Sequence, residues 1–490
     1  MGGTIRFLPR IGARAGAAFL AALILAMPGI AAAATSIAGY RTLRAERIAP
    51  GVVHEVYQRF TPNEAVHVAR VGRDAPYALR SVSGNRFLHG RNETTSEICK
   101  RTKCLVAVNG DFWSGSEGLL GALVHHGELL RSPTGAHFQF VVGPDGKPTA
   151  GPITWHGRFI ESDGTSVSFN GVNVPRKSKD GIVLYSRKFA RSTKTDRSGT
   201  ELVVSMQSGP PRLGQPATVR LEKIFIGQGN TKINDGNLVL SGSGKGAEAL
   251  RLLWHRAKNG VVERTFTIRL RTTPDALESI GGTPILIRDG KPAYDNASTA
   301  FVQAQHPRTI VGWTKKGETL LVTVDGRQLG HSAGMTIPEA ARMMLKLGAV
   351  DAINLDGGGS TTFVVRGKVL NKPSDRLISI GGKTREVKVA SGASVIKTNV
   401  ERPVASALVV VKRPIEPVKV AVQVTPGRDT RTHAAAAELA GDVGATADTR
   451  PTRSQREPGS RVPVVITAVA VCALMGAGAR RLRRARTLVR

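Results

Sequence analysis

Hydrophobic and polar residues alternate in the first part of the chain with the period of a β-strand. This alternation, typical of strands buried on one face, occurs in residues 52–59, 66–71 and 77–82. Continuous apolar runs predict further, buried strands at residues 105–108, 285–287, 310–313, 320–324 and 352–355. A Pro-Asp-Gly turn after residues 138–142 predicts a hairpin. Residues 165–273 are expected to continue as short β segments.

Two helices are predicted from capping boxes, in which a threonine and a glutamate satisfy the first backbone N–H groups. Thr94 and Glu97 indicate a short helix, and Thr336 and Glu339 indicate a second one that ends before Gly348. The apolar stripe of the second helix consists of Ala340, Met343, Met344 and Leu347. With few helices among many short strands, the predicted fold class is α+β, a β-rich globular domain.

Composition narrows the class of protein. The chain has 490 residues, of which 41% are hydrophobic, so it can bury a core. Three cysteines exclude a disulfide-dense scaffold and a multi-cysteine zinc module. A formal net charge of +32 predicts attraction to polyanions, either nucleic acid or phosphate-rich cell-surface polymers.

The two ends of the chain indicate secretion and anchoring. Residues 1–34 have a basic start, an apolar stretch and a small-residue cleavage region, as in a signal peptide; an uncleaved N-terminal anchor is the alternative. Residues 462–479 carry no charge and are just long enough for a single transmembrane helix. The basic tail, residues 480–490, is expected to stay cytoplasmic. We therefore expect a single-pass protein of the cell membrane with its globular domain extracellular.

The globular domain is expected to cover residues 40–400. Residues 401–461 contain scattered prolines amid Ala, Thr and Arg, which predicts a disordered stalk. The apolar run at residues 405–411 could still add one strand to the domain. In an oxidising compartment Cys99 and Cys104 are expected to form a local disulfide; in a reducing one they would be free thiols.

Candidate chemistry lies in loops at strand ends, where functional groups are usually presented. These loops combine polar side chains with turn-forming residues: NGDFW (109–113), GGTP (281–284), HPRT (306–309), DGR (325–327) and NLDGGGS (354–360). His306 and Asp325 also have structural interpretations, as a satisfied histidine and as part of an ordinary turn. The three successive glycines would let a backbone approach a ligand and point N–H groups at an anion.

Several enzyme classes are disfavoured. The glycine run is not a P-loop, because no Lys-Ser/Thr pair follows it and no helix is expected to open there. The chain has no HExxH motif, no GxSxG elbow and no EF-hand loop. Zinc protease and serine hydrolase functions therefore find little support.

Taken together, these motifs resemble the phosphodiester glycosidase family. The similarity is strong over residues 281–365 and 104–113 and looser over residues 40–100. NGDFW is similar to the family's Asn-Gly-Gly-Phe-Phe element, with Asp111 where many relatives have glycine, and GGTPILIRDGK matches its Gly-Gly-x-Pro element. Residues 151–270 show little similarity, so we expect an insertion or a diverged half there.

The resemblance implies hydrolysis of a sugar-1-phosphodiester to a free sugar and a phosphomonoester. The oxocarbenium-like transition state requires a carboxylate. Asp356 is expected to activate water or to act as nucleophile, with Asp111 as a second carboxylate and His306 as a proton shuttle. The candidates for binding phosphate and sugar hydroxyls are Asn109, Gly282, Thr283, Arg308, Asp325, Asn354, Gly357, Gly358, Gly359 and Ser360. Trp113 or Trp313 could stack on a sugar, or either could belong to the core.

No cofactor or metal is expected, although Asp356 and Asp111 could hold Ca²⁺ or Mg²⁺ through oxygen ligands. One rival function is a non-catalytic, surface-displayed binder of anionic glycopolymers, and another is a different hydrolase on the same scaffold. Nucleic-acid binding is disfavoured, because the basic residues are scattered and the chain carries secretion signals. The expected partners are a glycan or sugar-phosphate diester, and the membrane.

Overall fold

A computed structural model describes residues 36–414, except residues 90–91, 116–117, 136, 295–297, 381–382 and 387–393. The side chains of residues 376–398 are not described either. The predicted signal peptide (1–34), the linker after residue 414, the transmembrane helix (462–479) and the basic tail lie outside the described residues. Within the described residues, no helix has the length and apolar character needed to cross a membrane.

An eight-stranded antiparallel sheet, called here the large sheet, carries several of the predicted loops. Its strands, in spatial order, are Arg41–Ala49, Val52–Phe60, Asn63–Val71, Thr319–Val324, Arg308–Thr314, Ala349–Asn354, Ile285–Arg288 and Lys291–Pro292. The strands predicted from alternation and from apolar runs are present, with ends shifted by a few residues. The β-rich fold class is therefore confirmed.

A second sheet, with five strands, packs its apolar side chains against the large sheet and is called here the facing sheet. Its strands, in spatial order, are Lys368–Val369, Phe363–Val365, Val106–Asn109, Ser406–Lys412 and Tyr77–Ser83. Their shared core includes Val108, Phe363 and Leu408 from the facing sheet and Val311 and Ile353 from the large sheet. Burial of this apolar surface is the main force that holds the two sheets together.

Another five-stranded sheet includes the predicted hairpin. Its strands, in spatial order, are Glu128–Arg131, Leu123–His125, Glu278–Gly282, Phe138–Val142 and Pro148–Pro152. Smaller ladders pair Lys383–Glu386, Asp375–Ile380 and Ser394–Val400; Pro403–Val404 with Glu93–Thr94; and Trp113–Ser114 with Gly118–Leu119. The strand Phe138–Val142 pairs in register with Pro148–Pro152, as the turn between them predicted.

Residues in the segment where an insertion or a diverged half was expected form a sheet of their own, called here the inserted sheet after that expectation. Its strands, in spatial order, are Ser166–Ser168, Thr154–Ile160, Thr265–Thr273, Pro216–Ile226, Thr200–Met206, Asn237–Gly242, Ile182–Ser186 and Gly171–Val172. The helix Lys245–Lys258 packs on one face through Leu250 and Leu253. The expectation of only β segments between residues 165 and 273 was wrong at this helix.

The other helices are Thr95–Thr102, Thr299–Gln303 and Ile337–Lys346, and a single 3-10 turn covers Gly358–Ser360. Both predicted capping boxes are present, at Thr94 with Glu97 and at Thr336 with Glu339. The predicted apolar stripe of the last α-helix is buried. Gly348 follows it with a φ of 87°, a left-handed conformation that favours glycine.

The packed domain extends beyond the predicted boundary at residue 400. Ser406–Lys412 lies between two other strands of the facing sheet, and four residues from Ala407 to Val410 are buried. This segment lies in the predicted linker. Its apolar run, residues 405–411, had indicated that it could add one strand to the domain. The prolines around it suggested disorder, but the cross-strand hydrogen bonds and buried apolar surface here outweigh them.

The predicted disulfide joins Cys99 and Cys104, whose Cα atoms are 4.9 Å apart. It links the middle of the helix Thr95–Thr102 to the segment just before the strand Val106–Asn109. Because this strand leads directly to Asn109, the bond lies just before one of the candidate loops.

Two histidines are buried between the large sheet and the facing sheet. His54 Nε2 and His67 Nδ1 are 3.3 Å apart, and both rings pack on Phe363 at centroid distances of 5.2 and 5.5 Å. Burial lowers the pKa of His54 to about 3 and that of His67 to about 4. Both imidazoles are therefore neutral in the folded protein across the physiological pH range.

We predict that this pair makes the domain sensitive to acid. Both pKa values are lower in the folded state than the unfolded value of 6.5, so the stability they contribute is complete above pH 6.5 and decreases as pH falls towards 4. At pH 5 each buried histidine lowers the free energy of unfolding by about 2 kcal/mol relative to pH 7.5. Denaturant unfolding at both pH values should show a smaller pH effect in His54→Gln than in the wild type. The exposed His156→Gln is the control, and an unchanged pH effect in His54→Gln would contradict the prediction.

Candidate active site

Asp356 lies where two of the predicted loops meet. It follows the strand Ala349–Asn354, and its backbone N–H donates to the carbonyl of Gly110 at 2.9 Å. Its own carbonyl accepts a hydrogen bond from Nδ2 of Asn109 at 2.6 Å. The loop after Val106–Asn109 and the loop after Ala349–Asn354 are therefore joined by backbone and side-chain bonds.

Asn109 is a fully buried connector. Besides donating to Asp356, its Oδ1 accepts from the hydroxyl of Thr309 at 2.7 Å and from the backbone N–H of Thr362 at 3.2 Å. The sequence had suggested that Asn109 binds a sugar hydroxyl. Because these bonds use both ends of its side-chain amide, Asn109 does not present that amide to a sugar. It positions the backbone at Asp356 instead.

Each of the three successive glycines has its own close neighbour. A Cβ at Gly357 would lie 2.6 Å from the carbonyl oxygen of Pro307, and one at Gly358 would lie 3.0 Å from a guanidinium nitrogen of Arg327. A Cβ at Gly359 would collide with Arg402 and Asp375. The N–H of Gly358 donates to Pro307, so it is not available to an anion. The run therefore lets charged side chains approach Asp356.

Two arginines flank this loop. Arg402 forms a bidentate ion pair with Asp375, with N···O distances of 2.7 and 2.9 Å. Arg327 is exposed, and one of its terminal nitrogens is 3.3 Å from Nδ1 of His306. The pKa of Arg327 is lowered by burial of part of the side chain and by the neighbouring Arg402. The loop is thus flanked by two guanidinium groups whose positive charge is only partly balanced by neighbouring acidic side chains.

Asp356 is half-buried, and burial raises its pKa to about 6. A hydrogen bond from the hydroxyl of Ser360, the charge of Arg402, the N–H of Gly357 and the charge of Arg327 all oppose this rise. Ser360 therefore contacts the candidate catalytic group. A carboxylate with a raised pKa beside positive charge is suited to proton transfer near neutral pH.

Asp111 is a second carboxylate with a raised pKa. It is 6% exposed, and burial raises its pKa to about 7, with a further upward contribution from Asp356. The backbone N–H of Gly121 donates to its Oδ2 at 2.7 Å. A Cβ at Gly281 would collide with its carboxylate, which explains the glycine at this position. Asp111 and Asp356 therefore influence each other electrostatically.

Arg308 does not face this site. It is 2% exposed, and its guanidinium donates to the carbonyls of Met335 at 2.9 Å and Ala304 at 2.7 Å. It also packs over the ring of Phe301. Side chains alternate between the two faces of a strand, so Arg308 lies on one face and Thr309, bonded to Asn109, lies on the other. The prediction that Arg308 clamps phosphate is corrected: it is a buried structural residue.

Asp325 also has a structural role. It is 1% exposed, and it accepts bonds from Asn371 at 2.9 Å, from His331 at 2.8 Å and from the backbone N–H of Lys372 at 3.0 Å. These bonds tie the loop that starts at Asp325 and leads to Arg327 to the loop that contains Asn371 and Lys372. The expectation that Asp325 contacts substrate is corrected.

Gly282, Thr283 and Asn354 pack against one another. Nδ2 of Asn354 donates to the carbonyl of Thr283 at 2.7 Å, and the N–H of Thr283 donates to the carbonyl of Asn354 at 2.7 Å. A Cβ at Gly282 would lie 2.7 Å from that same carbonyl oxygen. Asn354 is 1% exposed, so these residues brace the loop behind Asp356.

The two candidate tryptophans differ in exposure. Trp113, two residues after Asp111, is 54% exposed. Trp313 is partly buried and packs on Phe140 with ring centroids 6.0 Å apart. Trp113 therefore remains available to a ligand, while Trp313 belongs to the core.

A group that could ligate a metal lies elsewhere. Among the described residues, the ligand atoms of His125, His126 and Glu278 lie within 4.8 Å of one another. Glu278 already accepts from the backbone N–H groups of Ser81 and His126. The group includes neither Asp356 nor Asp111, so it does not bear on the expectation that they could share a cation.

An acidic pocket of about 530 Å³ is also present. Its lining consists of Asn85, Asn92, Glu93, Thr94, Glu97, Glu401 and Pro403. Three glutamates would repel a phosphodiester, so this pocket is a poor candidate for the expected substrate.

The sequence interpretation missed Arg402, Asp375 and Ser406. Ser406 is fully buried and accepts from the N–H of Asp111 at 3.0 Å. Arg402 and Ser406 lie in the segment predicted to be a linker, where only the apolar run at residues 405–411 signalled a strand. Arg327 was visible in the DGR motif, but nothing local distinguished it from Arg308.

Comparisons with known proteins agree with the motif resemblance. Residues 214–411 match the model of the phosphodiester glycosidase family. An N-acetylglucosamine-1-phosphodiester alpha-N-acetylglucosaminidase from Bos taurus is 38% identical over 120 residues, 22% of this chain and 22% of that protein. The SPbeta prophage-derived uncharacterized protein YomE from Bacillus subtilis (strain 168) is 38% identical over 91 residues, 18% of this chain and 14% of that protein. The resemblance is confirmed, and the matches span less than a quarter of these relatives' length.

A solved structure has a similar fold. A hypothetical protein from Synechocystis superposes with a TM-score of 0.53 and 19% identity, covering 76% of this chain and 68% of that chain. The family match begins at residue 214, inside the segment for which an insertion or a diverged half was expected.

We predict that the same substitution at two arginines changes stability by very different amounts. Arg308→Gln leaves buried carbonyls without their charged donor and should lower the free energy of unfolding by about 3 kcal/mol. Arg327→Gln, at an exposed position, should change it by less than about 0.5 kcal/mol. Urea unfolding of both variants measures the difference. Equal losses would show that the two side chains are not placed as described.

Proposed function

We propose that this chain, which matches the phosphodiester glycosidase family, hydrolyses a sugar-1-phosphodiester to a free sugar and a phosphomonoester. The observation that carries the proposal is a carboxylate of raised pKa, Asp356, in a glycine loop flanked by Arg327 and Arg402. Cleavage of a phosphodiester bonded to an anomeric carbon requires both kinds of group. Cations stabilise the departing phosphate, and a carboxylate stabilises the positive charge at the sugar carbon.

In the proposed reaction the oxygen of water bonds to the anomeric carbon, and the bond between that carbon and the phosphate oxygen breaks. Asp356 stabilises the positive charge that develops on the sugar and accepts the proton of the water. The leaving group is an acidic phosphate, so it departs without a strong general acid. Arg327 and Arg402 stabilise the negative charge that grows on it.

The two raised pKa values fit an anionic substrate. With a pKa of about 7, Asp111 carries a proton for much of the time at neutral pH. Asp356, with a pKa of about 6, is mostly ionised at the same pH. The two acids therefore carry less than two full negative charges near the phosphate, which reduces electrostatic repulsion. His306, close to Arg327, is the proposed proton shuttle.

The exposed indole of Trp113 is the proposed stacking surface for the sugar, because apolar ring faces of sugars pack on aromatic side chains. Its distance of two residues from Asp111 supports this role. N-acetylglucosamine, which is part of the bovine relative's name, is the sugar to test first.

We propose an extracytoplasmic location and a cell-surface or exopolysaccharide glycan as natural substrate. The disulfide between Cys99 and Cys104 supports it, because such bonds persist in oxidising compartments. A membrane anchor at residues 462–479 belongs to the same proposal.

We predict that Asp356→Asn strongly reduces turnover. The substrate is N-acetylglucosamine-1-phosphate esterified to a nitrophenyl group, and the coupled assay contains a phosphatase. Glycosidic cleavage releases free sugar and nitrophenyl phosphate, so colour appears only when phosphatase is present. Asp356→Asn should lower the rate at least about 100-fold. Asp289→Asn, at an exposed turn outside the site, is the matched control.

Two results would contradict the proposal. Colour without phosphatase, with sugar-1-phosphate retained, would mean cleavage on the aryl side of phosphorus and hence a phosphodiesterase. No turnover on a panel of sugars, with binding to anionic glycans that persists in Asp356→Asn, would favour the non-catalytic binder.

We also predict that Arg327 acts in the transition state. Arg327→Gln should lower kcat/KM about 100-fold, because it removes one cation from the departing phosphate. Arg327→Lys should recover part of this loss, since it restores the charge without the planar fork. Steady-state kinetics on the same aryl diester measures both. A wild-type kcat/KM in Arg327→Gln would remove this residue from the mechanism.

A further inference from the structure

The inserted sheet has one packed face and one face that is open over three neighbouring strands. These strands are Thr154–Ile160, Thr265–Thr273 and Pro216–Ile226. Phe159, Phe266 and Ile268 point into the core on the packed side. The positions that alternate with them point to solvent on the open side.

The open side places arginines at opposing positions of neighbouring strands. Arg158 pairs with Arg269 across two antiparallel strands, and His156 pairs with Arg271 in the next row on the same face. Arg220 continues the face on the third strand. Opposite residues on one face have Cβ atoms about 5 Å apart, so these charges are concentrated in a small area. We call Arg158, Arg269, Arg271 and Arg220 the arginine face.

The charges of the arginine face are uncompensated. Among the described residues, none of its four arginines has an ion pair or a side-chain hydrogen bond, whereas Arg176 and Arg256 elsewhere in the same segment pair with acidic residues. Glu222 is the one acid in these three strands, and its carboxylate accepts from the hydroxyl of Ser205. An arginine keeps its charge at every pH of interest, so the face is permanently positive.

This arrangement destabilises the sheet. Like charges directly opposite each other on a sheet repel and are unfavourable. A bound anion would remove the repulsion between Arg158 and Arg269. Hydroxyls of Thr267 and Thr218, which pair across the same face, offer additional donors to it.

We infer that the arginine face binds a phosphodiester-linked glycan polymer. The choice of a glycan polymer rests on the proposed function, while the binding of a polyanion does not. The exposed positions of the three strands hold no Phe, Tyr or Trp, so the face lacks the stacking platform of proteins that bind single-stranded nucleic acid. The arginine face is separate from the residues around Asp356. It would capture the polymer while the active site cleaves individual linkages.

The test measures binding of long-chain inorganic polyphosphate to the full chain at several salt concentrations. The variant is the triple substitution Arg158→Gln, Arg269→Gln and Arg271→Gln. We expect at least about a tenfold loss of affinity, and a slope of log K against log salt that is shallower by about 2. Its melting temperature should equal or exceed that of the wild type, because the repulsion is gone.

The control variant neutralises three exposed lysines outside the face, at Lys258, Lys315 and Lys316, and so changes the net charge equally. Its affinity should stay much closer to that of the wild type. Equal losses in the two variants would overturn the inference, because net charge alone would then explain binding. Tighter binding of a DNA oligonucleotide than of polyphosphate of equal charge would overturn the partner class.

Turnover separates this inference from the proposed function. The triple variant should keep wild-type kcat/KM on the small aryl diester, because the arginine face is not part of the catalytic site. If no sugar diester is cleaved, yet polyphosphate binding still depends on the three arginines, the proposed function fails and the binding surface stands.

Discussion

The candidate site depends on one buried amide. Asn109 ends a strand of the facing sheet, and its side chain holds the backbone of Asp356 in the loop that leaves the large sheet. A buried amide left without partners would cost about 1–3 kcal/mol, so both sheets must present their bonding groups at once. The apolar core between the sheets supplies the energy of association, but this amide sets how the two candidate loops meet.

Around the contact between the two candidate loops, glycines allow charged side chains to approach the backbone closely. Gly281 leaves space for the carboxylate of Asp111, and Gly358 and Gly359 leave space for Arg327 and Arg402. The result is two carboxyl groups with raised pKa values beside two guanidinium groups. Burial acts against both ionised carboxylates; the two arginines oppose this effect at Asp356, and backbone N–H groups together with Arg131 oppose it at Asp111. This balance keeps both acids within reach of neutral pH.

Local patterns predicted much of the fold. Alternation, apolar runs and capping boxes have the period of the element they form, so strands such as Val52–Phe60 and helices such as Ile337–Lys346 were visible in the sequence. The helix Lys245–Lys258 was missed even though Ala247, Leu250, Leu253 and Ala257 have helical spacing. The glycines and prolines of the surrounding segment had favoured short strands, and this composition was given more weight than the helical periodicity of the apolar residues.

The sequence by itself determined the elements, the disulfide and the acids around which the candidate site forms, because these depend on residue type and short-range spacing. Only the tertiary structure decided which side chains face Asp356. Arg308 lies in a candidate loop but on the face of its strand that points away from the site. Arg402 and Ser406, by contrast, reach the site from positions well beyond Asp356 in the sequence. Which face of a strand looks towards the site depends on strand pairing and sheet packing, and these contacts join residues far apart in the sequence.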